Sequence, residues 1–470
     1  MQPTAPAPPA AAPPATPASL QVAPTGARSG PVPTPRPPRK FWPELDVVRG
    51  LAAVLMVWSH TGAELMRLPL TAYDNPAAVP WSSPLMLLVW LGGAAPVLFF
   101  FLTGVGQGVK GPAPGAFDAD RFRGWGVMLV KVGVLLAADA MLWLPQGGFR
   151  GLDFFGFIGL SVLLLWVVHR LPGAASWITA AALAAAAIGA RYVLVDAASA
   201  LGLLTDPASQ AAWRAGVGDE AVPGRSYPLG PWLAVPMLGY LTGRLLAWRE
   251  PGASASTGRN GLVALLLGVG AAGLAAAAVL VLLGKPLGRW GNVSPSFFGF
   301  GIGGTALLLG GLLWIGGGSG MRRWGWLKLR GIAAFVVVPL HYAVLAVAWG
   351  AFGVDLAPVG GSIGEAAAGW AWLLGLPLVC LAAAPWLERG IQASAARLNA
   401  WQAGGAPGAW ARVAAAWGTV AGVVAVVGVV IFDAGGDDWA ARALGAGAQL
   451  MLCGLLVWPA PVTLGRPRTR

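Results

Sequence analysis

Four ionisable residues lie in or beside one apolar stretch near the start of the chain. The run 47–66 is mostly apolar and is long enough to cross a bilayer core of about 30 Å as a helix. The four ionisable residues in or beside it are Asp46, Arg49, His60 and Glu64. At 100° per residue, the eleven steps from Arg49 to His60 end about 20° past three full turns, so these side chains share one helix face. An imidazole can take up a proton near neutral pH and a guanidinium can bind phosphate, so this face could carry acid–base or group-transfer chemistry.

The predicted helix must turn this face away from lipid, because a charge inside a membrane span is costly. We therefore predict that the face lines a bundle interior or a wet cavity and belongs to a functional site. The alternative is a topology signal, in which Arg49 reaches the headgroups at one interface while His60 and Glu64 lie at the other.

The composition of the chain requires a membrane. Of its 470 residues 56% are hydrophobic and only 11% are charged, whereas a soluble domain carries about 25% charged residues. The 69 glycines suit close helix packing in lipid, and the 24 tryptophans suit interfacial belts. The two cysteines lie in apolar runs without metal-binding spacing. The sequence predicts an all-α, polytopic integral membrane protein.

Apolar runs predict about 10–12 transmembrane helices. A Pro- and Ala-rich segment, 1–40, is expected to form a disordered cytoplasmic tail, and 391–470 a C-terminal helix pair with a short basic tail. The second span should kink at Gly92, Gly93 and Pro96. The predicted spans are 47–66, 84–109, 124–144, 153–170, 175–197, 229–247, 261–283, 297–317, 331–351, 366–387, 413–432 and 439–459.

Basic residues concentrate on one side of this arrangement. With the N-terminus inside, most Lys and Arg residues fall in segments predicted to be cytoplasmic, and most acidic residues fall on the other side. This positive-inside bias predicts that both termini are cytoplasmic. The net charge of +12 then indicates topology and attraction to anionic lipids, and no nucleic-acid partner is expected.

Five stretches resemble, in the same order, motifs of the bacterial relatives of heparan-alpha-glucosaminide N-acetyltransferase. They are ELDVVRGLAAVLMVWSH (44–60), APVLFFFLTG (95–104), DFFGFIGLSVLLL (153–165), SYPLGPWLAVPMLGYLTGRLL (226–246) and LKLRGIAAFVVVPLHYAVL (327–345). The fourth is the most specific of them. In the animal lysosomal enzyme the His held to be catalytic lies in the loop after the first span, whereas the loop 67–83 of this chain contains no His.

The resemblance implies that 41–390 is a transmembrane acyltransferase domain. It would move an acyl group, acetyl first among candidates, from cytoplasmic acetyl-CoA or another acyl-CoA to a cell-envelope saccharide or small-molecule acceptor, without a metal. The expected location is a bacterial inner (plasma) membrane, with membrane lipids as partners, and a homodimer is compatible with the family.

The ionisable face would supply the catalytic residues of such an enzyme. His60 would act as the base or carry the acyl group, and Glu64, one turn on, would orient its imidazole. Arg49 lies about 16 Å from His60 along the axis, so it could hold CoA phosphates while the thiol arm reaches inward. The alternative for Arg49 is a structural ion pair with Asp46.

Substrate-binding candidates come from other parts of the chain. His341 is the other intramembrane His and a second candidate wall of the site, although a buried His is often only hydrogen-bonded core. Charged and aromatic residues at the predicted external ends of the spans would suit the binding of a sugar. An aromatic belt at the membrane interface has the same composition and is the alternative. These residues are Arg150, Asp153, Arg225, Tyr227 and Trp232. Lys131 and Asp139, in the third span, favour a structural role.

Two other functions remain open from the sequence. The ionisable face could be the relay of a proton-coupled transporter for a small solute or lipid. The chain could also be a non-catalytic membrane protein of the same fold. Consumption of acyl-CoA separates the enzyme from both.

Overall fold

Helices account for all the regular structure in the part of the chain that the computed structural model describes. That part comprises residues 42–65, 84–109, 121–143, 152–190, 227, 229–249, 255–288, 294–316, 319–329, 333–352, 363–403 and 445–449. The helices are α1 (Pro43–His60), α2 (Pro84–Gly92), α3 (Ala95–Gly108), α4 (Arg121–Trp143), α5 (Phe154–His169), α6 (Ala174–Gly189), α7 (Leu229–Trp232), α8 (Ala234–Arg249), α9 (Ala255–Leu282), α10 (Pro295–Ile315), α11 (Ala333–Phe352) and α12 (Ile363–Ala403). A π-helical turn, Thr61–Leu65, continues α1, and a 3₁₀ segment, Ser319–Leu327, precedes α11.

Several of these helices are built to cross a membrane. By length and apolar composition four described segments qualify, namely Leu87–Gly108, Arg259–Leu282, Pro295–Ile315 and Ala367–Ala393. Large apolar side chains point outward, with Leu282 84% and Ile178 66% exposed, which lipid tolerates and water does not. The chain is an all-α polytopic membrane protein, as predicted; the total of ten to twelve spans stays a prediction.

The second span is broken where the sequence predicted a kink. Here α2 ends at Gly92 and α3 begins at Ala95, with Pro96 in its first turn, where a missing N–H costs nothing. A Cβ on Gly92 would collide with the backbone carbonyl oxygen of Leu55. The break therefore brings the second span against α1, beside the ionisable face.

Glycines also set the contact between α3 and α8. A Cβ on Gly104 would collide with the carbonyl oxygen of Pro236, and one on Gly239 would collide with that of Phe101. Gly108 and Gly243, four residues further on in each helix, make similar contacts. Small residues at this spacing let two backbones approach closely in lipid, where packing replaces the hydrophobic effect as the driving force. This contact attaches α8 to the broken second span.

An aromatic core fills the space between α3, α5 and the start of the α7–α8 segment. The ring of Phe100 lies 4.5 Å from that of Phe157, 5.0 Å from Tyr227 and 5.6 Å from Trp232, centroid to centroid. All four side chains are buried. This core gives the nearby site a rigid wall.

The helix that contains the predicted tenth span, 366–387, extends beyond the end of that span. The structure continues α12 without a break to Ala403, because the polar residues after Leu387 leave the apolar window without losing helix propensity. The predicted domain boundary at 390/391 falls inside this helix.

Some predictions concern residues outside the described part. These are the tail 1–40, the span 413–432, Arg150 and Arg225. Of the last predicted span, the structure describes the helical residues 445–449.

Candidate active site

A buried cavity of about 210 Å³ lies where α1, the α2–α3 break, α5 and α11 meet. We call it the His cavity. It is lined by Met56, Ser59, His60, Gly92, Gly93, Ala95, Pro96, Asp139, Asp153, Phe154, Phe155, Tyr227, Val338, His341, Tyr342 and Gln449. Four of the ten predicted site residues therefore meet in it, from four distant parts of the chain; they are His60, Asp153, Tyr227 and His341.

Three rings from α1 and α11 form one wall of the His cavity. The centroid of His60 lies 4.8 Å from that of His341 and 4.9 Å from that of Tyr342. The Tyr342 hydroxyl oxygen lies 3.4 Å from Nε2 of His60. Two imidazoles and a phenol thus line one cavity, an arrangement able to accept, donate and relay a proton.

The hydrogen bonding of His341 defines its proton-accepting atom. Its Nδ1 lies 3.0 Å from the carbonyl oxygen of Val337, and because a carbonyl only accepts, Nδ1 must carry the hydrogen. Nε2 of the neutral ring then holds a lone pair. The side chain is fully buried, and Nε2 has no hydrogen-bond partner among the described residues. A buried acceptor of this kind can take a hydrogen bond from a water or from a donor group of a bound molecule.

Gln449 presents a second unsatisfied acceptor to the His cavity. Its amide nitrogen donates to the carbonyl oxygen of Ala138 at 2.9 Å, so Oε1 points away from this carbonyl. Oε1 is buried and has no partner within the described part of the chain. The two unsatisfied acceptors, His341 Nε2 and Gln449 Oε1, favour a bound molecule that carries O–H or N–H groups.

Asp139 fixes the start of α5 at the floor of the cavity. Its carboxylate accepts the backbone N–H of Asp153 at 2.6 Å and that of Phe155 at 3.1 Å. These donors lie at a helix N-terminus, where no intrahelical acceptor exists and a carboxylate is favoured. Lys131, by contrast, is exposed. Asp139 thus serves as a structural cap for α5.

Arg49 lies in a second cavity, of about 290 Å³, which we call the Arg cavity. Its guanidinium forms an ion pair with Asp46, which is 5% exposed. The cavity is lined by Arg49, Phe99, Leu102, Thr103, Gly106, Gln107, Phe154, Ile158, Val162, Ala334 and Phe335. The predicted stripe is therefore divided, with Arg49 in one cavity and His60 in the other.

The remaining predicted site residues lie elsewhere. Trp232 is fully buried in the aromatic core, 5.1 Å from Tyr227 and 5.0 Å from Phe298 by ring centroids, and it lines neither cavity. Nε1 of Trp232 is buried without a hydrogen-bond partner among the described residues, and a substrate contact at Trp232 stays a prediction. Glu64 belongs to the π-helical turn, and its side chain lies outside the described part.

The family described as Heparan-alpha-glucosaminide N-acetyltransferase, catalytic, matches residues 42–276, half of the chain. The chain belongs to this family. No curated protein and no solved structure matches the chain significantly.

Membership of the heparan-alpha-glucosaminide N-acetyltransferase family indicates a membrane acetyltransferase. The matched region contains His60, Asp139, Asp153 and Tyr227, whereas His341 lies beyond its end. The His cavity is therefore also lined by residues that lie outside the family match, among them His341, Tyr342 and Gln449. No group of three or more His, Cys, Asp or Glu side chains in the described part is placed to hold a metal ion.

Tyr342, Asp139 and Gln449 are among the lining residues of the His cavity that were not predicted as site residues. Tyr342 follows His341 directly, so its position on the same wall could have been proposed. Asp139 was noticed as an intramembrane charge, but its role depends on α5 packing beside α4. Gln449 is a single amide in an apolar run assigned to a separate C-terminal pair, and only the tertiary fold brings it to the cavity.

Proposed function

We propose that this chain is a membrane-embedded acyltransferase that moves an acyl group, acetyl first among candidates, from acyl-CoA to a hydroxyl or amine of a cell-envelope sugar or similar acceptor. The observation that carries the proposal is the lone pair on Nε2 of His341, buried beside His60 in a cavity rich in acceptors. The family supports acetyl transfer. The positive-inside bias supports a plasma-membrane orientation with both termini cytoplasmic.

His341 is the proposed general base. The O–H or N–H of the acceptor donates to Nε2 while the acceptor atom bonds to the thioester carbonyl carbon. The C–S bond then breaks, CoA leaves as a thiolate, and the proton on His341 passes to the sulfur. The products are the acylated acceptor and the CoA thiol.

His60 is the second imidazole of the proposed site. Its Nε2 already lies near the Tyr342 hydroxyl, so we assign the acceptor proton to His341 and leave two roles for His60. It either polarises the reacting groups or carries the acyl group covalently. Acyl label trapped on the protein through His60 would select the second role.

The Arg cavity is the proposed donor side. Arg49 could hold CoA phosphates there, because guanidinium binds phosphate oxygens in pairs. The roughly 16 Å of helix between Arg49 and His60 leaves room for an extended thiol arm.

The test is CoA release from radiolabelled acetyl-CoA by the purified protein in detergent, with glucosamine as acceptor. We expect His341→Gln to lower release by about 10²–10⁴-fold, the range of general-base catalysis. His169→Gln is the matched control, because His169 contacts Tyr240 at 3.2 Å and lines neither cavity. No release by folded wild-type protein, or full activity in His341→Gln, would contradict the proposal.

A further inference from the structure

The two cavities share one lining residue, an aromatic side chain. Among the described residues, Phe154 alone lines both the His cavity and the Arg cavity. It is the first residue of α5 and is only 8% exposed. An ordinary core ring borders no cavity, whereas the ring of Phe154 borders two.

Other rings complete a layer around Phe154. Its centroid lies 5.2 Å from that of Phe99, which lines the Arg cavity. Phe155, which lines the His cavity, stacks at 6.2 Å on Phe335, which lines the Arg cavity. We call these four residues the aromatic partition. Aromatic contacts of this kind hold rings in defined geometries without hydrogen bonds.

The backbone of the partition is fixed while its rings can rotate. Asp139 accepts the N–H groups of Asp153 and Phe155, on either side of Phe154. Opening between the cavities would therefore come from rotation of the Phe154 side chain between staggered rotamers and not from displacement of α5.

We propose that Phe154 is the gate between a donor cavity and an acceptor cavity, and that the acyl end of the donor passes this ring to reach His341. This inference rests on the proposed function. A closed ring would keep acceptor-side water from the thioester. Without it, water could add to the carbonyl carbon, give its proton through His341 to the departing sulfur, and yield a free acid and the CoA thiol.

Cysteine labelling tests the gate without depending on catalysis. Ser59 reports on the His cavity and Thr103 on the Arg cavity, each as a cysteine variant in a chain carrying Cys380→Ala and Cys453→Ala. Sealed vesicles are exposed on one face or the other to a small, charged, membrane-impermeant methanethiosulfonate. With Phe154 present, we expect each cysteine to react from one face only, and the two from opposite faces.

Removing the ring should join the cavities. In Phe154→Ala the Ser59→Cys site should gain labelling from the second face, and Phe154→Leu should show a smaller gain. Phe157→Ala is the matched control, because Phe157 belongs to the same helix and aromatic core but lines neither cavity. Only variants that remain monodisperse in detergent are compared.

Three results would overturn the gate. They are labelling of Ser59→Cys from both faces with Phe154 in place, no gain in either Phe154 variant, or an equal gain in Phe157→Ala. In the activity assay, Phe154→Ala should raise acceptor-independent CoA release relative to acyl transfer. If wild-type protein releases no CoA, the proposed function fails, and the labelling still decides whether Phe154 separates the cavities.

Discussion

At the scale of single residues, identical side chains differ through their hydrogen bonds. His60 and His341 are 4.8 Å apart. Nε2 of His60 lies beside the Tyr342 hydroxyl, whereas a backbone carbonyl sets the tautomer of His341. A bond of this kind leaves Nε2 as an acceptor in the neutral ring and holds the ring plane. Sequence could name both histidines as intramembrane candidates but could not distinguish their roles, because the distinction depends on Val337 and on the folded cavity.

Arg49 allows a sharp test of the donor side. Arg49→Ala should weaken acetyl-CoA binding by about 10–100-fold, since a hydrogen bond to a charged group contributes about 1.5–3 kcal/mol. Binding is measured by isothermal titration calorimetry on folded protein.

Asp46→Asn is the matched control for Arg49, because it removes the ion pair but keeps the guanidinium. If Arg49 binds phosphate, this variant should bind acetyl-CoA as well as wild type or more tightly. Equal loss of affinity in both variants would instead give the pair a purely structural role.

Several of the site residues predicted from sequence are of types that are costly in a membrane. Asp46, Arg49, His60 and His341 all stand out against an apolar background, and the structure places each beside a cavity or in the ion pair. The division of Arg49 from His60 could not be predicted, because it comes from Phe154, more than ninety residues further along the chain.

At the scale of elements, the glycines and the proline within the second span predicted the break in that span from the sequence alone. The kink of the second span follows from glycine and proline, whose effect on a helix does not depend on distant packing. The end of α12 was missed because hydropathy marks where an apolar span ends and does not mark where a helix ends. The cap on α5 was missed because Asp139 belongs to a different helix.

Gly156 makes the contact between Asp139 and α5 possible. A Cβ at this position would collide with Oδ2 of Asp139 and come within 3.0 Å of Cδ2 of Leu152. Gly156→Ala should therefore displace the carboxylate and leave the Asp153 and Phe155 N–H groups unsatisfied, at a cost of about 1–3 kcal/mol per group. We expect lower thermal stability in detergent and a loss of CoA release.

Gly133→Ala is the control for Gly156, since nothing lies within 4 Å of a Cβ at Gly133 on the same helix as Asp139. Alanine favours a helix over glycine by about 1 kcal/mol, so this variant should melt at or above the wild-type temperature. Wild-type stability in Gly156→Ala would show that Asp139 does not hold the start of α5.

At the scale of the whole molecule, a partly buried ion pair connects α1 to the α9–α10 hairpin. Nη2 of Arg259 lies 2.9 Å from Oε1 of Glu44, whose side chain is 3% exposed, and 2.7 Å from the carbonyl oxygen of Leu313. Within the hairpin, a Cβ on Gly303 would come within 2.9 Å of the carbonyl oxygen of Gly270. Close helix packing and one charged contact thus join α1 to α9 and α10.

Breaking this ion pair from one side should destabilise the fold. Arg259→Leu leaves a buried carboxylate and a carbonyl without their donor, which typically costs about 3–5 kcal/mol, whereas replacing both partners by apolar residues is often nearly neutral. We therefore expect a large fall in melting temperature for Arg259→Leu and recovery of most of it in the double variant with Glu44→Leu. Arg389→Leu is the control, because that side chain packs on exposed Trp386 and donates to the carbonyl oxygen of Pro385 in its own helix. If the double variant melts as low as Arg259→Leu, the contribution of Arg259 would come from its bond to Leu313, and the pair with Glu44 would not be what joins α1 to the hairpin.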